Sequence, residues 1–147
     1  MIIRRQILTT ICMLCMTLLL AAPAWAEQKQ SIRDYEIHYI VVPTTFLRAG
    51  IATQYNLVRG RDRSLINISV LNKAGEATRA KLSGHTRNLL EQRQPLKFDE
   101  VREGDAIYYL AVLRHADEEH HRISIDIEFA DGSTHTLQWQ QKLYWDE

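Results

Sequence analysis

The alternation that decides the fold lies near the end of the chain and reads Arg122-Ile123-Ser124-Ile125-Asp126-Ile127-Glu128-Phe129. Polar and apolar residues alternate strictly along this segment, which is the pattern of a strand with one face in a core and the other in water. This segment predicts an antiparallel β protein, and its alternation constrains the register of the strands on either side.

The turn after this strand fixes the register of the next one. A two-residue loop would place polar residues opposite the isoleucines. A three-residue loop, Ala130-Asp131-Gly132, places Ile125 opposite Leu137 and Ile123 opposite Trp139, with its glycine where a positive φ is needed. The sequence therefore predicts the three-residue loop.

The strand before this segment is predicted from Ile107 to Leu113, a run so apolar that it indicates burial on both faces. If the intervening residues form a hairpin loop, Leu113 faces Ile123, and the other pairs also match apolar with apolar. We expect the two strands to be neighbours in one sheet. The same register places His115 opposite His121.

Four further strands are predicted at Tyr35–Val41, Leu65–Leu71, Ala80–Gly84 and Leu96–Phe98. Apolar residues at helical spacing predict one short helix near residues 47–55, and the polar residues 27–32 are expected to be frayed. Seven short strands with almost no helix indicate an all-β antiparallel sandwich. An immunoglobulin-like topology is the leading expectation, and a small closed barrel is the alternative.

The charge balance argues against one class of partner. The chain has 147 residues, with 18 Lys plus Arg and 18 Asp plus Glu, so its formal net charge is zero. A nucleic-acid-binding protein normally carries a basic surplus, and this chain has none. We expect no nucleic-acid partner.

The first 26 residues have the features of a signal peptide. Arg4 and Arg5 precede an apolar run over residues 7–22, and Ala24-Trp25-Ala26 fits an A-x-A cleavage site. An uncut membrane anchor is an alternative, but the run is short and Pro23 ends it. The arginine pair also faintly resembles a twin-arginine signal. We expect cleavage after residue 26, leaving a single domain over residues 27–147.

Cleavage would change the chemistry of the chain. It removes both cysteines, Cys12 and Cys15, so the mature protein would have no disulfide and no thiolate ligand. It also removes Arg4 and Arg5, which leaves 16 basic and 18 acidic residues and a net charge of −2. An exported domain without disulfides fits the bacterial periplasm, with no stable membrane anchor after cleavage.

Five segments of the mature chain are distinctive together. They are Leu65-Ile66-Asn67-Ile68-Ser69-Val70-Leu71, Arg87-Asn88-Leu89-Leu90, Val101-Arg102-Glu103-Gly104-Asp105-Ala106-Ile107-Tyr108-Tyr109, Asp117-Glu118-Glu119 and Gln141-Lys142-Leu143-Tyr144. In this combination the chain resembles the bacterial secreted family catalogued as domain of unknown function 4426, over nearly the whole mature length. The resemblance implies a small exported single-domain protein of Gram-negative bacteria and carries over no functional residue. This chain has Asp117 where the family often has Asn, and it adds His120-His121, so a metal site there would be its own property.

The densest group of ionisable side chains spans residues 115–121, with three histidines and three acids. In the predicted register, the Cβ atoms of His115 and His121 would lie about 5 Å apart, which suits two ligands on one divalent ion. An acid from the loop could supply a third ligand. The candidate metal ligands are therefore His115, His121, Glu118 and Glu119, with zinc or copper as the candidate cofactor.

Two other histidines fit this site less well. His120 has the opposite strand parity, and His135 would lie roughly 20 Å away along the strand. The alternative to a metal site is a solvated polar hairpin tip, or a tip that responds to pH because histidine titrates near neutrality.

No motif for enzymatic chemistry is present. The chain lacks a G-x-S-x-G elbow, a phosphate-binding glycine loop and H-E-x-x-H. The sequence favours a non-enzymatic binding module of the periplasm, with a protein or another envelope component as partner. Tyr144 and Trp145 are the candidate partner-binding residues because aromatic side chains anchor interfaces. The alternatives are that both rings complete the core, and that the protein binds a divalent metal through His115 and His121.

Overall fold

The computed structural model describes residues 27–146, which form nine strands, one 3₁₀ turn and one short helix. The strands are β1 Gln28–Ile32, β2 Tyr35–Pro43, β3 Arg63–Asn72, β4 Ala80–Asn88, β5 Arg93–Leu96, β6 Asp99–Glu103, β7 Ala106–Arg114, β8 Glu119–Phe129 and β9 Thr134–Leu143. The 3₁₀ turn is Thr44–Phe46, and the helix α1 is Ala49–Gln54. The predicted signal peptide over residues 1–26 lies outside the described residues.

The strands form two separate antiparallel sheets, of order β1-β2-β3-β7-β6 and β5-β4-β8-β9. Without β1, the two orders correspond to the A-B-E-D and C′-C-F-G sheets of an immunoglobulin-like sandwich. The sandwich prediction is confirmed, and the closed barrel is not what these residues form. No helix within residues 27–146 is long and apolar enough to cross a membrane.

The core lies between the inner faces of the two sheets. Its fully buried side chains are mostly β-branched residues at alternating strand positions, which suit a pleated surface: Ile37, Ile66, Ile68, Val70, Ile123, Ile125 and Ile127. Burial of each such side chain is worth about 1.5–3 kcal/mol. Two aromatic pairs join the sheets at the edge of this core. Tyr35 stacks on Phe129 with ring centroids 4.3 Å apart, and Tyr39 meets Trp139 at 4.7 Å.

The predicted register of the last hairpin is confirmed. Ile125 pairs with Leu137, and Ile123 pairs with Trp139. The backbone N–H of Phe129 donates to Ser133 O at 2.8 Å, which closes the three-residue loop. The glycine of that loop has φ of 82°, as the turn requires.

The predicted pairing of the two preceding strands is wrong. β7 lies between β3 and β6 in one sheet, and β8 lies between β4 and β9 in the other. Residues 115–118 therefore cross between the sheets, and His115 does not oppose His121 on a neighbouring strand. The prediction paired apolar residues of one strand with apolar residues of the other. Two strands that face each other across the core show the same alternation of apolar residues as two neighbouring strands of one sheet, so this pattern does not distinguish the two arrangements.

Two terminal and connecting segments complete the fold. Residues 27–32 were expected to be frayed, but β1 pairs with β2 along its length, with Gln30 opposite Ile37. The helix predicted near residues 47–55 is present as α1, and its Ala52 is buried. The segment around it reaches the edge strand β6, where the Tyr55 hydroxyl donates a hydrogen bond to Glu103.

Candidate functional site

One end of the sandwich carries five of the seven exposed large apolar side chains of the described residues. It is the end at which β2, β4, β7 and β9 finish and β3, β5 and β8 begin. Five large apolar side chains lie within three residues of those strand ends, and we call them the apolar end: Phe46 (59% exposed), Leu89 (75%), Leu90 (79%), Tyr144 (55%) and Trp145 (38%). The other two exposed large apolar residues, Ile51 and Val58, belong to residues 44–62, which connect the end of β2 to the start of β3. The turns at the opposite end carry none among residues 27–146.

Glu119 lies at the centre of the connections beneath the apolar end. Its carboxylate accepts hydrogen bonds from the Ala116 N–H at 2.8 Å, from Asn88 Nδ2 at 2.8 Å and from His121 Nε2 at 2.9 Å. Burial raises the pKa of this carboxyl, but the three hydrogen bonds, one of them from His121, outweigh burial and lower the pKa to about 2. Glu119 therefore stays ionised and fastens the β4–β5 turn to the β7–β8 connection.

The two predicted histidine ligands are buried and hydrogen-bonded at both ring nitrogens. His121 Nε2 donates to Glu119, and in the neutral ring its Nδ1 accepts from the Thr86 hydroxyl at 2.8 Å. His115 Nδ1 donates to Ala116 O at 2.8 Å, and in the neutral ring its Nε2 accepts from the Ser64 hydroxyl at 2.9 Å. The lone pairs that a metal would need are already used inside the fold.

The structure does not bring the four predicted metal ligands together. Glu119 contacts His121, whereas Glu118 forms an ion pair with Lys142 at 2.7 Å. Residues 27–146 contain no group of three or more His, Cys, Asp or Glu side chains arranged to hold a metal ion. The solvated-tip alternative does not describe these histidines either, because His115 and His121 are only 7% and 5% exposed. His135 lies opposite Ile127, as expected.

The residues that connect β7 to β8 also fix the C-terminal segment. The backbone N–H of Trp145 donates to Asp117 Oδ1 at 2.9 Å, and its indole Nε1–H donates to His115 O at 3.2 Å. The guanidinium of Arg61 lies 4.5 Å from the centroid of the Trp145 ring, within cation–π range. Trp145 is therefore held in one orientation while part of its ring remains exposed.

A groove of about 210 Å³ runs between the C-terminal segment and the end of β2. Phe46, Tyr144 and Trp145 are among its lining residues, and Val41 and Pro43 form part of its floor. A hydrogen bond from the Thr45 hydroxyl to Asp146 joins its two sides. The expectation that Tyr144 and Trp145 are accessible is compatible with this geometry, because neither ring is buried.

The sequence did not identify three members of the apolar end. Phe46 lies between the predicted strand Tyr35–Val41 and the helix predicted near residues 47–55, and the sequence gives it no role. Leu89 and Leu90 enter the sequence analysis only as part of a distinctive motif. The sequence signal for this surface was the pair of adjacent leucines inside a polar turn. Solvated turns consist mostly of polar residues and glycine, so two leucines there indicate an exposed apolar surface.

A larger groove of about 470 Å³ lies on the outer face of the four-stranded sheet and is mostly polar. Its arginines, Arg87 and Arg122, both pair with Glu91. His85 lies beside them, and burial together with the nearby arginine charges lowers its pKa. The two guanidinium groups thus share one carboxylate, which offsets only part of their charge.

The fold and the site together define a small immunoglobulin-like β-sandwich with an apolar surface at one loop end. The chain belongs to the family described as "Domain of unknown function (DUF4426)", whose model matches residues 29–146. A crystal structure of a DUF4426 family protein from Pseudomonas aeruginosa has a TM-score of 0.76 at 30% sequence identity, and the match covers 82% of this chain and 97% of that one. No curated protein matches the chain.

Two more distant structures share the fold. FetP from uropathogenic Escherichia coli strain F11 has a TM-score of 0.61 at 10% identity, covering 83% of this chain and 96% of FetP. A copper-bound variant of FetP has a TM-score of 0.57 at 9% identity, covering 83% and 92%. At these identities the likeness extends to the fold alone.

Proposed function

We propose that this protein is a non-enzymatic binding module of the bacterial periplasm that recognises a protein or another envelope component through the apolar end. One observation carries the proposal. Five of the seven exposed large apolar side chains of residues 27–146 lie at the loops of one end, and the other two lie in the segment that connects β2 to β3. Scattered exposed apolar residues need no explanation, whereas a collected group marks an interaction site.

The chemistry of the apolar end suits a protein partner. Tyrosine, tryptophan and arginine are the residue types that most often anchor protein interfaces. Here the Arg61 guanidinium stacks on the ring of Trp145. In the neighbouring residue, Tyr144, the ring centroid lies 5.1 Å from the Lys142 ammonium. Because these side chains are held before binding, little conformational entropy is lost when a partner docks.

The periplasmic location is proposed from the predicted signal peptide. Residues 1–26 combine a basic start, an apolar run and an A-x-A site. The absence of cysteine from residues 27–147 is compatible with an oxidising compartment, because a domain of this size needs no disulfide to bury a core.

The proposal is tested by isolating tagged protein from periplasm after mild chemical crosslinking. The Tyr144→Ser/Trp145→Ser variant removes the two aromatic anchors, and the matched control, Lys73→Ser/Asp105→Ser, alters two exposed residues at the opposite end. We expect the wild type and the control to retain a common partner and the aromatic variant to lose it, with all three equally folded. Equal partner recovery from all three proteins, or none from any, would overturn the proposal.

A further inference from the structure

The two sheets of the sandwich have four edge strands, and three of them are protected against further pairing. β5 has four residues and contains Pro95, which has no N–H to donate. β6 has five residues, of which four are charged. β1 has only five residues and carries Lys29. Short length, proline and charge are the ordinary means by which edge strands avoid pairing with another chain.

The fourth edge, β9, is the least protected of the four. It spans ten residues, contains no proline or glycine, and has Lys142 as its single Lys, Arg, Asp or Glu. Within residues 27–146 it pairs with β8 alone. The side chains of Thr134, Thr136, Gln138 and Gln140 are exposed on the outer face of the sheet.

The hairpin register shows which backbone groups of β9 are open. Phe129 and Ser133 form a hydrogen-bonded pair at the turn. Hydrogen-bonded and non-hydrogen-bonded pairs alternate along an antiparallel ladder. The odd-numbered residues of β9 therefore bond to β8, and the even-numbered residues from Thr134 to Lys142 direct their N–H and C=O groups toward the open edge.

We propose that β9 pairs with β9 of a second copy, antiparallel about a two-fold axis at Gln138, so that the two four-stranded sheets become one eight-stranded sheet. With the axis there, all five even-numbered residues find partners, and any other axis leaves some of them unpaired. Thr134 then faces Lys142 of the second copy, and Thr136 faces Gln140 of the second copy.

The side chains of β9 are self-complementary in this register. The hydroxyl and amide groups at Thr136, Gln138 and Gln140 each carry both a donor and an acceptor, so an identical strand can satisfy them. The one lysine meets a threonine instead of another lysine, so no like charges oppose each other. Closed two-fold pairing is also the commonest way for identical chains to associate.

This pairing leaves the proposed partner site open. Both apolar ends lie at the C-terminal ends of their β9 strands, so an antiparallel pair directs them to opposite ends of the continuous sheet. The dimer would present two binding surfaces to separate partners. The pairing rests on β9 alone, and it stands or falls independently of the proposed function.

The test uses the mature chain, residues 27–147, which contains no cysteine. Gln138→Cys places a single thiol on the axis, and Ser83→Cys on the interior strand β4 is the matched control on the same outer face. We expect sedimentation of the wild type to give twice the mass of one chain, and mild oxidation to give a covalent dimer for Gln138→Cys only. A wild type that sediments as one chain, or equal crosslinking of both cysteine variants, overturns the pairing.

A charge exchange tests the register itself. Gln138→Glu and Gln138→Lys each place like charges on the axis, so each variant alone should sediment with half the mass of the wild type. Mixing the two should restore the wild-type mass, because opposite charges then meet. Masses that are the same alone and mixed would contradict an axis at Gln138.

Discussion

Glu119 shows how one side chain can organise a surface without forming part of it. The carboxylate is 23% exposed, and it joins the β4–β5 turn, the β7–β8 connection and the buried ring of His121. Each of those hydrogen bonds favours the ionised form of the carboxyl, which is why its pKa falls to about 2. Its contribution to stability is therefore tied to pH.

Replacing Glu119 by Gln should destabilise the protein most at neutral pH. A carboxyl with a lowered pKa stabilises the fold fully above its ordinary value of 4.5, and that stabilisation is lost as pH falls toward the folded pKa of about 2. The difference in free energy of unfolding between wild type and Glu119→Gln should shrink by roughly 2–3 kcal/mol between pH 7 and pH 2. Urea unfolding across that range measures it, and a difference independent of pH would contradict the role of Glu119.

The buried histidines give a prediction about metals. Coordination would first have to break the hydrogen bonds from Ser64 and Thr86 to the ring nitrogens. We therefore expect zinc or copper to produce no saturable rise in melting temperature. A site filled at 100 times its dissociation constant would stabilise by about 2.7 kcal/mol, a rise of several degrees. A rise of that size, abolished by His115→Ala/His121→Ala, would restore the metal hypothesis.

At the scale of elements, the β8–β9 hairpin was predictable from sequence and the position of β7 was not. The hairpin has a short loop, and only one loop length keeps Leu137 on the buried face. The segment after Arg114 has no such constraint, because strands on opposite sides of a core obey the same alternation. The sequence therefore located residues 115–121 as unusual, but it could not show that they cross between sheets.

β4 contains a glycine that its neighbours require. A Cβ added at Gly84 would lie 2.7 Å from Ser124 O and 3.2 Å from Ile125 Cγ1, inside van der Waals contact. We expect Gly84→Ala to lower the free energy of unfolding by about 1–3 kcal/mol. Gly50 in α1 is the matched control, since no atom lies within 4 Å of an added Cβ there. Gly50→Ala should stabilise by about 0.5–1 kcal/mol, and equal urea midpoints for the two variants would refute the packing argument.

At the scale of the whole molecule, the two ends of the sandwich differ in kind. The turns at one end are short and polar, as at Asn72–Gly75 and Ala130–Gly132, and they serve to reverse the chain. The other end carries the longest connection, residues 44–62 between β2 and β3, together with buried polar contacts and exposed aromatic rings. A β-sandwich ordinarily binds its partners through loops gathered at one end, so the asymmetry of this molecule supports the proposal that a partner binds at the apolar end.

The most direct test of that claim is photo-crosslinking in living cells, with p-benzoylphenylalanine placed at Tyr144 in one strain and at Lys73 in another. Both positions are exposed, and they lie at opposite ends of the sandwich. We expect a discrete heavier adduct from position 144 and none from position 73. The same adducts from both positions, or none from position 144, would contradict the assignment of the apolar end as the partner-binding surface.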